Sequence, residues 1–431
     1  MPDMPETPAP APESPERQAA QTLKTLIAER DPLGIVFGVT DEEERYAAYD
    51  EVRAIDPDMA RSVAGWIVMG RDACFELPRD PRVGKHMPEG MPQATATRAG
   101  AAGRVFQSML NMDPPEHSRV RRLTAKAFTP RAIQRVRGHV ERIANELLDG
   151  VAEAGHMDVV ADFAQQLPIA VIGEILGVPT HDHSRLLGWA DIMARAMDVS
   201  ARADLLLELE RVSGEIEEYF LAIFDQRRDQ PKDDFLQAMI DARDEGDRLT
   251  QEELVSNCVL ILIAGFETTV NLIGNGLRAL LDAPDQLACL LEDLDRVPQA
   301  IEEFLRFDTP GQMVPYRAQA HFEWRSHTIN PGDALYLFLG AANRDPRAFG
   351  DPHRLDVLRT NAADHVTFAS GAHYCLGAAL ARLEGDVAFR TLLTRCQDLR
   401  LADTPERRAT QIVRGHARLP VSFRPELKTR P

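Results

Sequence analysis

Cysteine is scarce: Cys74, Cys258, Cys289, Cys375 and Cys396 are odd in number, widely scattered and contain no C-x-x-C pair. That excludes a disulfide framework, a zinc ribbon and an iron–sulfur cluster, and it points to a reducing compartment. Positive charge is also short, with 49 Lys and Arg against 67 Asp and Glu and a net charge of −18. No basic run interrupts that balance, so nucleic acid is excluded as a partner. Long apolar runs are missing. The longest, Cys258–Ala264, is too short to cross a bilayer, and Met1–Gln18 lacks the apolar core of a secretory signal. The expectation is a soluble, cytoplasmic protein.

What is present is ordinary for a globular chain of 431 residues: 44% hydrophobic and 27% charged, enough for a large core. Residues 1–18, rich in Pro, Glu and Ala, have little to bury and read as a disordered tail. Residues 19–431 are expected to form a single domain. Apolar periodicity predicts helices over Asp41–Ile55, Glu116–Phe128, Pro130–Gly150, Phe163–Leu176, Leu205–Arg228, Gln251–Leu281, Pro298–Phe307 and Leu376–Arg395. Strand patterns are few and short: Trp66–Met69, Phe322–Trp324, Ala334–Phe338 and Leu419–Phe423. The fold class is therefore mainly α with a small β-rich portion. The aperiodic stretch from Lys85 to Asn111 has the length of a binding loop.

Three segments carry chemistry. In Phe368–Gly377 (FASGAHYCLG) a cysteine in a glycine-bracketed turn precedes a helix, where the macrodipole and free N–H groups favour a thiolate. The alternative is a small buried hydrophobe, which describes most lone cysteines. The second segment lies in the long helix opened by the capping box Thr250-x-x-Glu253. Its apolar middle is interrupted by Ala264-Gly265-Phe266-Glu267-Thr268-Thr269. A mid-helix glycine costs about 1 kcal/mol and a buried carboxylate costs more. A ligand pressed against small residues would explain both, with Thr268 bonding back to the Ala264 carbonyl. A glycine kink with Glu267 in a buried ion pair is the alternative. The third segment is the helix after Pro114-Pro115. There His117, Arg121, Thr124 and Phe128 share one face, and Arg119, Arg122 and Lys126 form a basic strip on the other.

The decapeptide resembles the haem loop of the cytochrome P-450 family, Phe-Gly-x-Gly-x-His-x-Cys-Leu-Gly, with Ala369 in place of one glycine. The long helix matches the family's Ala-Gly-x-(Asp/Glu)-Thr, and Asp113, Pro114, Pro115, His117 and Arg121 match its Asp-Pro-Pro-x-His-x-x-x-Arg. The resemblance implies the family's fold, with haem b between the long helix and the cysteine-loop helix. It also implies Cys375 as iron ligand and Phe368 near its sulfur. His117, Arg121, Arg317 and His373 would bind the propionates, with Ala264, Gly265 and Gly377 beside the macrocycle. Glu267 and Thr268 would be the oxygen-activation pair, and Glu303, Arg306 and Arg359 a structural triad.

The implied activity is monooxygenation, hydroxylating or epoxidising a lipophilic small molecule of terpenoid, polyketide, steroid or fatty acyl type. Electrons would come from a separate ferredoxin or flavodoxin docking near Arg119, Arg122 and Lys126, on an expected monomer. The pocket would draw on Leu260, Ile263, Gln312, Met313, Val314, Ile412, Val413 and the Met87–Met112 loop, with Arg98 and Arg104 leaving room for a carboxylate. Other readings are a P-450-type peroxygenase, isomerase or coupling enzyme, and a non-catalytic haem protein; the intact Glu267–Thr268 pair speaks against them. A zinc or cysteine hydrolase built on His373-x-Cys375 lacks further ligands or a base.

Overall fold

The computed structural model describes residues 24–39, 42–88, 91, 103, 107–196, 203–242 and 247–425. The expected tail, Arg98 and Arg104 lie outside them. The helices of ten or more residues are α1 (Glu42–Ile55), α2 (Glu116–Ala125), α3 (Pro130–Ala152), α4 (Gln166–Ile175), α5 (His183–Ala196), α6 (Ala203–Asp229), α7 (Gln251–Asp282), α8 (Val297–Phe307) and α9 (Ala378–Arg395). A main sheet packs beside them. Its strands are β1 (Met59–Ser62), β2 (Gly65–Val68), β3 (Val83–Gly84), β5 (Met313–Ala318) and β8 (Ala334–Phe338), in the order β1-β2-β8-β5-β3. Only β2 and β8 run parallel in it. Smaller sheets pair β4 (His156–Asp158) with β12 (Pro420–Pro425) and β9 (Cys396–Leu401), β6 (Phe322–Trp324) with β7 (His327–Ile329), and β10 (Glu406–Arg407) with β11 (His416–Arg418).

Helix α7 is the axis of the molecule. Thr250 caps it by accepting from the Glu253 N–H at 3.2 Å, while the Glu253 carboxylate accepts from the Thr250 N–H at 2.8 Å. It is long and apolar enough to cross a membrane by composition, yet its most apolar window is 72% buried inside the protein. The burial comes from α4, α5, α8 and α9, which pack around it. Leu380, Leu383 and Val387 of α9 supply the buried stripe expected from the sequence.

Two helices differ from expectation. The one expected over Glu116–Phe128 stops at Ala125, and Lys126, Ala127 and Phe128 form tighter bonds to Leu123, Thr124 and Ala125. Pro130 follows, so Thr129 is extended and caps α3 by accepting from Ala132. Phe128 thereby leaves the His117 face and packs edge-on against Phe235. Phe163–Leu176 is split: a wide π turn, Val159–Ala164, runs into α4, with Asp158 accepting from the Val160 N–H.

Candidate active site

The cysteine loop is built by short backbone bonds. The Cys375 N–H reaches the Phe368 carbonyl at 3.0 Å, Tyr374 reaches Gly371 at 3.1 Å, and Ala369 reaches Val366 at 2.8 Å. Gly371 has φ +67°, and a β-carbon there would lie 2.1 Å from the Pro78 carbonyl oxygen, so only glycine fits. Ala369 is left-handed as well, at φ +54°. The loop thus keeps the conformation a glycine would favour and carries about 1–2 kcal/mol of strain for the extra methyl.

Cys375 is accessible to solvent although it lies deep in the protein. Burial pushes the thiol up, outweighing the Gly377 and Ala378 N–H groups and the charges of Arg121 and Arg382. A bound metal ion removes the proton of a coordinating thiol outright. A β-carbon on Gly377 would sit 4.0 Å from the sulfur. Phe368 is tied to the loop by its carbonyl and lies under the Arg382 guanidinium, 4.6 Å from the ring centroid.

A second accessible surface is one face of α7. Leu260, Ala264 and Thr268 follow one another at four-residue steps and are accessible, as is Ile263, whereas their neighbours on α7 are mostly buried. Thr268 Oγ1 donates to the Ala264 carbonyl at 2.6 Å and Thr269 Oγ1 to Gly265 at 2.9 Å. Ala264 is exposed on this face and suits a close ligand. Gly265 has a different reason: a β-carbon would lie 2.6 Å from Ile172 Cδ1, so the glycine lets α4 approach. Glu267 is 4% exposed. Its Oε1 accepts from Arg408 at 2.7 Å and weakly from Asn271 at 3.4 Å, while its Oε2 is buried without a partner. Burial raises its pKa and Arg408 opposes the rise.

Beside the cysteine loop several basic side chains converge. The His117 and His373 rings lie 4.1 Å apart, and Arg121 donates to the Tyr374 carbonyl at 2.6 Å. Lys85, missed in the sequence because it lies in an aperiodic stretch, joins them. Its ammonium lies 3.6 Å from the Tyr316 ring centroid and donates to Pro315 at 3.0 Å. Burial lowers the Lys85 pKa to about 8; burial, Lys85, His117 and Arg121 push His373 down to about 3. Asp113 offsets part of this charge and accepts from the Lys85 and His86 N–H groups at 2.8 and 2.9 Å. Arg317 is half-buried on β5 and makes a long contact, 3.5 Å, to the Gly332 carbonyl. His117 is 1% exposed and neither ring nitrogen has a partner. Buried polar groups in folded proteins are paired, so this histidine calls for an acceptor. A flat cofactor with anionic side groups would satisfy the basic edge with its unpaired histidine, the accessible sulfur and the small-residue helix face together. The residues fit haem b.

Behind the cysteine loop lies a buried ionic cluster. Arg306 and Glu303 are both 0% exposed and bidentate at 2.7 and 2.8 Å, and Arg359 Nε joins Glu303 at 3.2 Å. Arg306 also donates to the Asn343 carbonyl at 2.9 Å. The Asn343 side chain in turn bonds the Val366 N–H and the Thr367 hydroxyl, both at 2.8 Å. The triad is thus connected to the residues just before Phe368. A second clamp was not read from the sequence: Glu302 binds Arg382 at 2.6 Å and His365 at 3.2 Å. Burial alone would raise the Glu302 pKa, but these partners hold it near 2.

Some expected residues fall elsewhere. Met313 is only 6% exposed and packs with Tyr49 and Phe338 in a core cluster, because strand alternation turns it away from the accessible side. Gln312 is buried and spent on Tyr49 and Thr309, at 2.9 and 2.7 Å. Val314 stays half-buried; Ile412 and Val413 line a small cleft with Glu267 and Arg408. The basic strip is shorter than expected. Arg119 is half-buried, bound to Glu253 and 3.5 Å from Asp247, whereas Arg122 and Lys126 are exposed.

Comparison with known proteins agrees with this geometry. The sequence profile of the family described as cytochrome P-450 matches residues 84–413. A cytochrome P-450 of Mycobacterium tuberculosis is 39% identical, covering 88% of each chain. The vitamin D(3) 25-hydroxylase of Pseudonocardia autotrophica is 37% identical over 90% of this chain and 96% of its own. Among solved structures, P-450 BioI in complex with an acyl carrier protein bearing hexadec-9Z-enoic acid aligns with a TM-score of 0.82. It is 36% identical and is covered over 98% of its length and 88% of this one.

Proposed function

This chain belongs to the cytochrome P-450 family of haem-b monooxygenases, and on that premise we propose that it inserts one oxygen atom into a largely hydrocarbon small molecule bound against Leu260, Ile263, Ala264 and Val314. The observation that carries the reading is the accessible Cys375 sulfur in a loop whose His373 stacks on the buried, unpaired His117, and the accessible Leu260–Ala264–Thr268 face of α7 supports it. Haem supplies dioxygen activation when its iron is held by a thiolate, which favours O–O cleavage. The protein's own residues do the rest. Cys375 holds the iron, with Phe368 and Gly377 beside the sulfur, while Lys85, His117, Arg121, Arg317 and His373 hold the propionates. Thr268 positions a hydroxyl on the cofactor side of α7, and Glu267 exchanges protons with solvent. The substrate is a lipophilic molecule of terpenoid, polyketide, steroid or fatty acyl type; the vitamin D hydroxylase relative and the fatty-acyl ligand of the BioI complex support the steroid and fatty acyl classes. Residues 19–431 act as one domain in a cytoplasmic monomer.

The test is Thr268→Ala. Loss of a positioned proton-transfer group typically costs about 10²–10⁴-fold, so product should fall by that order while oxygen consumption continues, and hydrogen peroxide should replace product. Unchanged coupling of oxygen to product contradicts the role given to Thr268.

Electrons come from a separate ferredoxin or flavodoxin docking at Arg122 and Lys126. Both are exposed on a strongly acidic protein, and such a patch raises encounter rates with an acidic partner. Reversing both to Glu is expected to slow cofactor reduction in stopped-flow, most strongly at low salt. Equal rates for wild type and variant contradict the docking site.

A further inference from the structure

Glu267 is held by a residue that lies outside the long helix and far from it in sequence. Arg408 follows β10 at the start of the connection to β11, and its Nη1 donates to Glu267 Oε1 at 2.7 Å. The pair is shielded, with side chains 15% and 5% exposed. The connection is stiffened on the same spot. The Arg408 N–H bonds the Gly415 carbonyl at 3.0 Å, and the Thr410 hydroxyl bonds the Val413 carbonyl at 2.5 Å. The neighbouring Arg407 anchors it to the end of α7 and α8 through Asn275 and Asp308, both at 2.9 Å. Gly415 takes part too, since a β-carbon there would lie 1.8 Å from Asn271 Oδ1. Beside the pair a small cleft is lined by Ala194 and Arg195 of α5, by Glu267 and Arg408, and by Thr410 and Val413.

We propose that Arg408 is the positioning residue that governs proton uptake by Glu267, and that the cleft between Ala194 and Thr410 is the inlet through which bulk water reaches that carboxylate. The charges around Glu267 support this. On its own helix it meets only the neutral amide of Asn271. From α5 it feels Asp191, whose carboxylate is engaged by Arg195 at 3.3 Å. Arg408 is left as the cation in direct contact. With Oε1 bound to Arg408, the unpartnered Oε2 is the oxygen able to accept a proton. Each proton moves from water in the inlet to Oε2 and is passed on toward Thr268, leaving the carboxylate for the next cycle.

The inference rests on the proposed role of Glu267 as a proton donor, and its test separates the two. The protonated Glu267 carboxyl is followed by infrared pH titration, assigned by its loss in Glu267→Gln. In Arg408→Gln the midpoint should rise by about 1–3 pH units, the usual effect of losing a neighbouring cation. Arg408→Lys should restore most of the shift and, as the milder change, keeps the test open if the Gln variant folds poorly. An unshifted midpoint in both variants overturns the hold of Arg408. Ala194→Leu, which fills the cleft, should lower coupling several-fold without moving the midpoint; unchanged coupling overturns the inlet. If instead the midpoint shifts but Glu267→Gln couples normally, the proton-donor reading fails and the control of Glu267 by Arg408 stands.

Discussion

Arg306→Ala is expected to destabilise the protein by about 3–5 kcal/mol, the usual result of removing one partner from a buried ion pair. Arg306 and Glu303 are both fully buried, so the variant strands a carboxylate with no access to water. Arg359 and the Asp356 N–H remain on Glu303, but at 3.2 and 2.9 Å they replace only part of the bidentate contact. The loss also frees carbonyls at Asn343 and Pro352, and through Asn343 it loosens Val366 and Thr367 at the entry to the cysteine loop. Urea unfolding should show the drop, together with reduced haem retention. The double variant Arg306→Met/Glu303→Leu removes both charges and is expected to recover much of the loss. A single variant as stable as wild type contradicts the structural account of the triad.

Cys375→Ser is expected to abolish turnover while leaving the fold intact. The loop is held by backbone bonds from Cys375 to Phe368 and from Tyr374 to Gly371, and none of them uses the sulfur. The contacts of Lys85, His117, Arg121 and His373 do not use it either. The lost property is chemical. Even the thiol is pushed up by burial here, and a serine hydroxyl, far weaker as an acid, does not become a strong anionic ligand. Wild-type stability with product below detection is the predicted pair of results. Retained turnover in the serine variant contradicts the ligand assignment.

The long helix, the cysteine turn and the His117–Arg121 face were legible because their signals are local. A capping box, a four-residue step of small and polar residues, and a cysteine turn all survive as sequence patterns. What escaped was set by distant chain segments. Lys85 reaches the site only because β3 pairs with β5 at Gly84 and Arg317. Glu267 was expected to find either solvent or an ion pair, but its partner Arg408 lies 141 positions away. Strand β5 was missed because Pro315 interrupts it; β3 pairs only with Arg317 and Ala318, so that proline sits where no ladder bond is needed. Helix α5 shows the opposite failure: Leu186, Trp189, Ala190 and Met193 carry a helical stripe that was readable and not read. Gly265 teaches a further point, since its sequence context suggested a ligand and its geometry gives a neighbouring helix.

The most direct measurement is the absorption spectrum of the reduced, carbon-monoxide-bound wild-type protein. Thiolate ligation by Cys375 predicts the strongly red-shifted Soret band, and Cys375→Ser should lose it while still binding haem. A wild-type spectrum without that band, or a serine variant that keeps it, contradicts the account.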